Sequence, residues 1–201
     1  LFKPAEGPRP ERPFTVLSVG RISPIKDYET LIRAADILVN QRRQRDLRFV
    51  VVGDVGMVEQ EEYARHLGEL VEAHRLGAYI EFVGSVPYSR VVDYYRQADA
   101  FVSTSRTGSL DKAALEAMAC GLPILTCNEA FANILGGFSS RLMFEKGDVN
   151  GLVERIIELI KLRSESQIYG GALREVVLQT HGIERLMSRI VDVLKEAAGI
   201  A

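Results

Sequence analysis

Hydrophobic and polar positions alternate along this chain in two rhythms. Short apolar runs occur at 15–19, 47–52, 79–83, 100–103 and 123–126, and the first three stop at Gly20, Gly53 and Gly84. Between them the period lengthens. Over 27–40, Leu31, Ile32, Ala35 and Leu38 fall on one helical face, and helical patterns recur at 58–74, 91–97 and 111–119. The segment 141–144 reads as a sixth strand. Strands that are apolar on both faces and alternate with helices predict an α/β domain. The expected form is a doubly wound, mainly parallel, Rossmann-like sheet of six strands with helices on both faces. From 149 to 197 the helical period continues without strands, which predicts a helical C-terminal tail. There Ile183, Leu186, Met187, Ile190 and Leu194 form one stripe, packed on the sheet's edge or reaching toward a further domain. Residues 1–13 are polar and carry Pro4, Pro8, Pro10 and Pro13, so they read as a linker entering a domain that occupies 14–201.

Composition narrows the function classes. The 201 residues are 47% hydrophobic and 26% charged, as expected of one soluble domain with a sizeable core. Lys and Arg number 25 against 27 Asp and Glu, a net charge of −2, so no overall basic field draws in nucleic acid. The local cluster Arg42, Arg43, Arg45 and Arg48 stands where a helix should end. It reads as charge complementing the helix dipole, with a lipid- or partner-facing patch as the alternative. Cys120 and Cys127 have neither metal-ligand spacing nor a disulfide pattern, and they read as small buried hydrophobes in a reducing cytoplasm. No apolar stretch is long enough to span a bilayer and no secretory leader opens the chain. A cytoplasmic location is expected, with peripheral membrane contact of a longer protein left open.

In an open parallel sheet, ligands bind beyond the C-terminal strand ends, where loops lead into helix N-termini. Three such loops carry suitable residues. In the first, Gly20 turns the backbone off the strand, and Arg21 and Lys26 flank the next helix start, placed to oppose a diphosphate without a metal. The plain alternative is two solvated charges. In the second, Gly108, Ser109, Leu110 and Asp111 lead into the helix that carries Glu116. Their free N–H groups can cradle an anion, while Glu116, read as two helical turns after Ser109, can accept from ribose hydroxyls. Glu116 can equally be a helix glutamate paired with Lys112, and Asp111 can simply complement the helix dipole. The third loop pair, at Gly53-Asp54 and at 83–87 with Val86, offers close backbone approach to a base but is generic.

The specific signal is the combination. Gly20-Arg21 with Lys26, the block 49–54, Phe82-Val83-Gly84-Ser85-Val86, the block 95–105 and Leu115-Glu116-Ala117-Met118-Ala119-Cys120-Gly121-Leu122-Pro123 follow in order over about 14–161. Together they closely resemble the C-terminal, donor-binding domain of GT-B retaining glycosyltransferases of the group-one, family-four type. The resemblance implies a nucleoside diphosphate sugar as donor and an N-terminal acceptor-binding domain in the same protein. It assigns Arg21 and Lys26 to the donor diphosphate as catalytic charges, Glu116 to the ribose and the Val86 backbone to the base. The 108–110 amides fall to phosphate and sugar. Transfer of a hexose with retention follows, without an obligatory metal or other cofactor, and no Asp-x-Asp pair occurs in the chain.

Two departures qualify the resemblance. The family's first glutamate is Gly108 here, and its Gly-Phe-Gly is Ser109-Leu110-Asp111, so Asp111 is the candidate to reach the sugar instead. The turn at 127–132 lacks the family's glycine, and Glu129 lies near it without a secure alignment. Two other functions stay open on these residues: a nucleotide-sugar 2-epimerase-like enzyme, and a non-catalytic nucleotide-binding or scaffold module. An epimerase needs its own acid–base set, yet His66, His74 and His181 fall outside the ligand loops. The missing carboxylate at Gly108 is what keeps the module in view.

Overall fold

In the computed structural model, β1 (Phe14–Val19) runs through the middle of a five-stranded sheet. Residues 2–5, 7, 11–56, 60–163 and 166–198 are described, without the side chains of 166–168, 183, 184 and 186. The other strands are β2 (Leu47–Val52), β3 (Ile80–Gly84), β4 (Ala100–Ser103) and β5 (Ile124–Thr126). Their order is β3-β2-β1-β4-β5, and every pair is parallel. β1, β4 and β5 are buried along almost their whole length, which is why their sequences are unbroken apolar runs rather than alternating ones. The sixth strand does not form. Residues 139–142 turn into a short helix, and only Met143 bridges Thr126 in parallel fashion beyond β5.

The helices are α1 (Tyr28–Asp36), α2 (Glu61–Ala73), α3 (Tyr88–Gln97), α4 (Lys112–Ala119), α5 (Ala132–Leu135), α6 (Ser139–Leu142), α7 (Val149–Lys161), α8 (Ser166–His181) and α9 (Ile183–Ala198). The chain winds from β1 outward to β3, then returns past β1 to β4 and β5. Right-handed crossovers therefore place α1 and α2 on one face and α3 and α4 on the other. α1 packs against α2 and α7, and α4 against α8. The predicted start of the second helix, at 58, lies outside the described residues, as do the side chains of Ile183 and Leu186 in the predicted stripe.

Tail and sheet meet through glycine. A Cβ on Gly170 of α8 would lie 1.9 Å from the carbonyl oxygen of Gly121, so only a glycine lets α8 approach the end of α4 this closely. Asp99, fully buried, ties the strands at the other end. It accepts from the Thr15 amide at 2.8 Å and from Arg12 at 2.5 Å, with Arg163 at 3.5 Å. The described part of the predicted linker also packs on the domain. Phe2 meets the rings of Tyr88 and Tyr95 edge-on at 5.6 and 5.8 Å, and Arg96 donates to the Lys3 carbonyl. The arginine cluster spreads over separate acceptors: Arg42 reaches Glu154, Arg45 the Tyr79 hydroxyl, and Arg48 pairs with Glu81 on the neighbouring strand. Arg42, Arg45 and Arg48 serve as ties between elements, Arg43 is exposed, and Arg48 belongs to β2.

Candidate functional site

The sheet order changes direction between β1 and β4, and the crevice at a switch of this kind is where an open α/β sheet accepts ligands. Here the strand ends are lined by glycine. A Cβ on Gly53 would fall 2.0 Å from the Gly20 carbonyl oxygen, so the ends of β1 and β2 cross at backbone contact. A Cβ on Gly20 would sit 3.0 Å from Lys26 Cε, and its absence leaves room for Lys26 to lie over the strand end. Tyr28, buried in α1, donates to the Gly20 carbonyl at 3.1 Å and anchors that end from below. Burial holds its phenol well above the ordinary range.

Lys26 closes a tight turn, Pro24–Lys26, after which Asp27 takes left-handed backbone angles (φ 49°, ψ 48°) and opens α1. The next loop locks this turn in place. Thr104 donates to the Lys26 carbonyl at 2.7 Å, the Arg106 amide donates to the Ile25 carbonyl at 2.9 Å, and the Arg106 guanidinium pairs with buried Asp27 at 2.9 Å. Lys26 Nζ then reaches across the switch to Asp111 Oδ2 at 2.9 Å. Ser103 Oγ donates to the same oxygen at 2.9 Å, while Asp111 Oδ1 accepts from the Ala113 amide at 3.2 Å and caps α4. Gly20, Lys26 and Asp111 thus meet at one point, with Ser103 as a fourth member that no sequence pattern singled out.

The remaining candidates surround that point. Arg21 is exposed, its stem lies beside Gly56, and among the described residues its guanidinium has no ion pair or hydrogen bond. Gly108, Ser109 and Leu110 form an exposed turn, pinned by Asn128 donating to the Ser109 carbonyl at 2.7 Å. α4 begins at Lys112, so Ser109 precedes the helix and does not share a helical face with Glu116, as the two-turn spacing had predicted. A Cβ on Gly108 would lie 3.5 Å from Glu129 Oε1, which sets the Glu129 carboxylate beside the position where the family carries its glutamate. Lys146 pairs with Glu129 at 2.7 Å and lowers its pKa. Glu116 is largely buried and accepts from the hydroxyls of Tyr88 at 2.6 Å and Tyr95 at 3.1 Å, with Lys112 at 3.5 Å. Burial first, and then the Glu116 carboxylate, raise the pKa of both phenols. Val86 is half-buried in the loop between β3 and α3, next to the exposed Tyr88.

Among the described residues, no group of three or more His, Cys, Asp or Glu could hold a metal ion. A separate cavity of about 680 Å³ lies along α3, lined by Thr15, Leu17, Arg48, Glu81, Arg90 and Tyr94 among others. Of its arginines, Arg12, Arg48 and Arg90 are paired with Asp99, Glu81 and Asp93 and Arg96 donates to the Lys3 carbonyl, and none of Gly20, Lys26, Ser103 and Asp111 lines it.

The sequence model of the family described as Glycosyl transferases group 1 matches residues 2–175. The chain belongs to this family. Among curated relatives, D-inositol 3-phosphate glycosyltransferase 2 of Catenulispora acidiphila is 36% identical over 113 residues, 55% of this chain and 26% of that protein. Mannosylfructose-phosphate synthase of Agrobacterium fabrum is 36% identical over 109 residues, 54% of this chain and 24% of that protein. The matched stretch of the chain therefore spans about a quarter of the length of these relatives. In fold it is similar to Anabaena HepE in complex with UDP, with a TM-score of 0.83 at 18% identity, covering 92% of this chain and 49% of HepE. It also resembles the C-terminal domain of LpcC, a glycosyl transferase group 1 family protein from Francisella tularensis. There the TM-score is 0.79 at 21% identity, with 90% of this chain and 96% of that domain covered. These likenesses establish the Rossmann-like half of the GT-B architecture. Among the described residues, no helix is long and apolar enough to cross a membrane.

Proposed function

We propose that this chain is the donor half of a glycosyltransferase and that it binds a nucleoside diphosphate sugar across the switch between β1 and β4. The observation that carries the reading is the meeting of Lys26, the glycine-lined strand ends and the first turn of α4 at that switch. An ammonium, the positive end of a helix dipole and close backbone approach are what a diphosphate requires when no metal neutralises it. Arg21, exposed and without a partner among the described residues, supplies a second cation. In this reading the Val86 backbone faces the base and Glu116, held by Tyr88 and Tyr95, takes the ribose. The turn Gly108–Leu110 with Asp111 faces phosphate and hexose. UDP is the first nucleotide to test, because it is bound in HepE.

In the full-length protein an N-terminal domain would present the acceptor hydroxyl. The bond from the sugar's anomeric carbon to the diphosphate oxygen breaks with its electron pair going to the diphosphate. The acceptor oxygen forms its bond on the same face, giving retention, and its proton passes to the departing diphosphate. Arg21 and Lys26 stabilise the charge that grows on that leaving group. No Lewis-acid ion is required for this electrostatic task.

Melting the chain with UDP, GDP, ADP and their hexose conjugates tests the reading directly. At a hundredfold excess over the dissociation constant, the matching nucleotide contributes about 2.7 kcal/mol, or a rise of roughly 5–10 °C for a chain of this size. If none of them shifts the melting point at millimolar concentration, the donor-site reading is wrong. In the two-domain protein, Arg21→Ala and Lys26→Ala should each lower kcat about 100-fold or more, and EDTA should leave wild-type turnover intact. Turnover abolished by EDTA, or undiminished in both variants, would overturn the mechanism.

A further inference from the structure

Asp111 makes the contacts expected of the ligand itself. Its Oδ2 accepts from Lys26 Nζ at 2.9 Å and from Ser103 Oγ at 2.9 Å, and its Oδ1 accepts from the Ala113 amide at the N-terminus of α4. An ammonium, a hydroxyl and a helix N-terminal amide form a donor set for one phosphate oxygen pair, and here a carboxylate holds all three. Capping does not explain the choice of an acid. Asn and Ser cap a helix about as well as Asp, so what only aspartate adds is a negative charge on Lys26. That pair is shielded from salt, with the side chains of Lys26 and Asp111 only 22% and 8% exposed. Arg21 is left without a partner among the described residues.

We propose that Asp111 competes with the donor's diphosphate for Lys26 and the α4 N-terminus, and so sets how tightly this site holds a nucleoside diphosphate. The inference rests on the donor-site reading given above. When the diphosphate enters, Lys26 exchanges one anion for another, and Asp111 is released toward the hexose side of the 108–111 turn. When the diphosphate product leaves, Asp111 returns to Lys26 and opposes rebinding. The carboxylate thereby weakens product binding while preserving a fully satisfied lysine in its absence.

The test is equilibrium binding of UDP, GDP and ADP to the wild-type chain and to Asp111→Asn and Asp111→Ser, with pyrophosphate and uridine as further probes. Both substitutions keep a capping side chain, and circular dichroism with melting checks that each variant folds. The expected result is that both variants bind the preferred nucleoside diphosphate, and pyrophosphate, about tenfold tighter than wild type, from removal of a like charge beside the phosphates. Uridine, which carries no phosphate, should not distinguish the three proteins. In the double variant Lys26→Gln with Asp111→Asn the gain should disappear. Equal or weaker diphosphate binding by both folded variants, with measurable binding by wild type, overturns this inference and leaves the donor site standing. No nucleotide bound by any of the proteins overturns the donor-site reading and this inference with it.

Discussion

At the scale of single residues, burial alters the ordinary chemistry of some groups. Cys120 and Cys127 are buried, and burial pushes both thiols up to about 11 from an ordinary 9.0. The folded state keeps these protons to a higher pH than the unfolded chain does. Their contribution to stability is therefore complete below about pH 9 and is lost as pH rises from 9 to 11. Denaturant titrations at pH 7 and pH 10 should show lower stability at pH 10, and a thiol reagent at pH 8 should label neither cysteine until the chain is unfolded. Rapid labelling of the native chain would contradict the burial. Glycine offers a sharper contrast. Gly53→Ala places a methyl 2.0 Å from the Gly20 carbonyl oxygen and should destabilise by about 2 kcal/mol or more. Gly68→Ala, in α2 with nothing within 4 Å of the added methyl, should stabilise by about 0.5–1 kcal/mol. Sequence alone marks both residues only as glycines, one ending a strand and one inside a helix pattern. The close approach that separates them depends on how two strands cross.

The elements differ in what holds them. β1 and β4 are joined at their N-terminal ends through Asp99, which is fully buried and bound by Thr15, Arg12 and Arg163. Asp99→Ala leaves two guanidiniums facing a hole and should cost about 2–3 kcal/mol in a denaturant titration. An effect below 0.5 kcal/mol would mean the arginines re-pair at no loss. The tail divides into two parts. α8 buries Tyr169, Leu173 and Val177 against the domain, whereas in α9 Met187, Ile190, Val191, Val193 and Leu194 are exposed. A chain ending at 181 should melt within about 2 °C of the parent. One ending at 161 should lose several kcal/mol of apolar burial and melt roughly 10 °C lower. Comparable losses in both truncations would show that α9 carries tertiary energy in the isolated chain. The stripe in α9 was legible from its period, because helical spacing is local. The exposure of Met187, Ile190 and Leu194 was not, since that depends on which other surfaces lie within reach.

For the molecule as a whole, the decisive feature is that β1 and β4 are neighbours although 80 residues separate their ends. The bond from Lys26 to Asp111 spans 85 positions and that from Thr104 to the Lys26 carbonyl 78. These contacts exist because the chain winds outward to β3 and returns across β1, which brings the first and fourth loops together at one rim. The same return sets Tyr88 and Tyr95 of α3 against Glu116 of α4. A nucleoside diphosphate should therefore protect the loops after β1 and β4 from amide hydrogen exchange together, with the N-terminus of α3. Protection confined to Thr15, Arg48, Glu81 and the later turns of α3 would place binding in the other cavity and refute the proposed site.

Periodicity alone determined the class of this protein. Unbroken apolar runs require burial on both faces, alternating helices require crossovers, and the two together permit little besides a doubly wound parallel sheet. The ordered loop motifs likewise identified the family and the candidates Gly20, Arg21, Lys26, Asp111 and Glu116. The sixth strand failed because 141–144 pairs through a single residue, Met143, too little for a ladder. What only the tertiary structure decided is the state of those candidates: that Asp111 already holds Lys26, that two tyrosines hold Glu116, that Glu129 stands beside Gly108, and that Arg21 is left exposed. Patterning reports whether a residue faces water or the core. The partner of a charged group is chosen by strand order and loop geometry, which bring together residues too distant for any local pattern to relate.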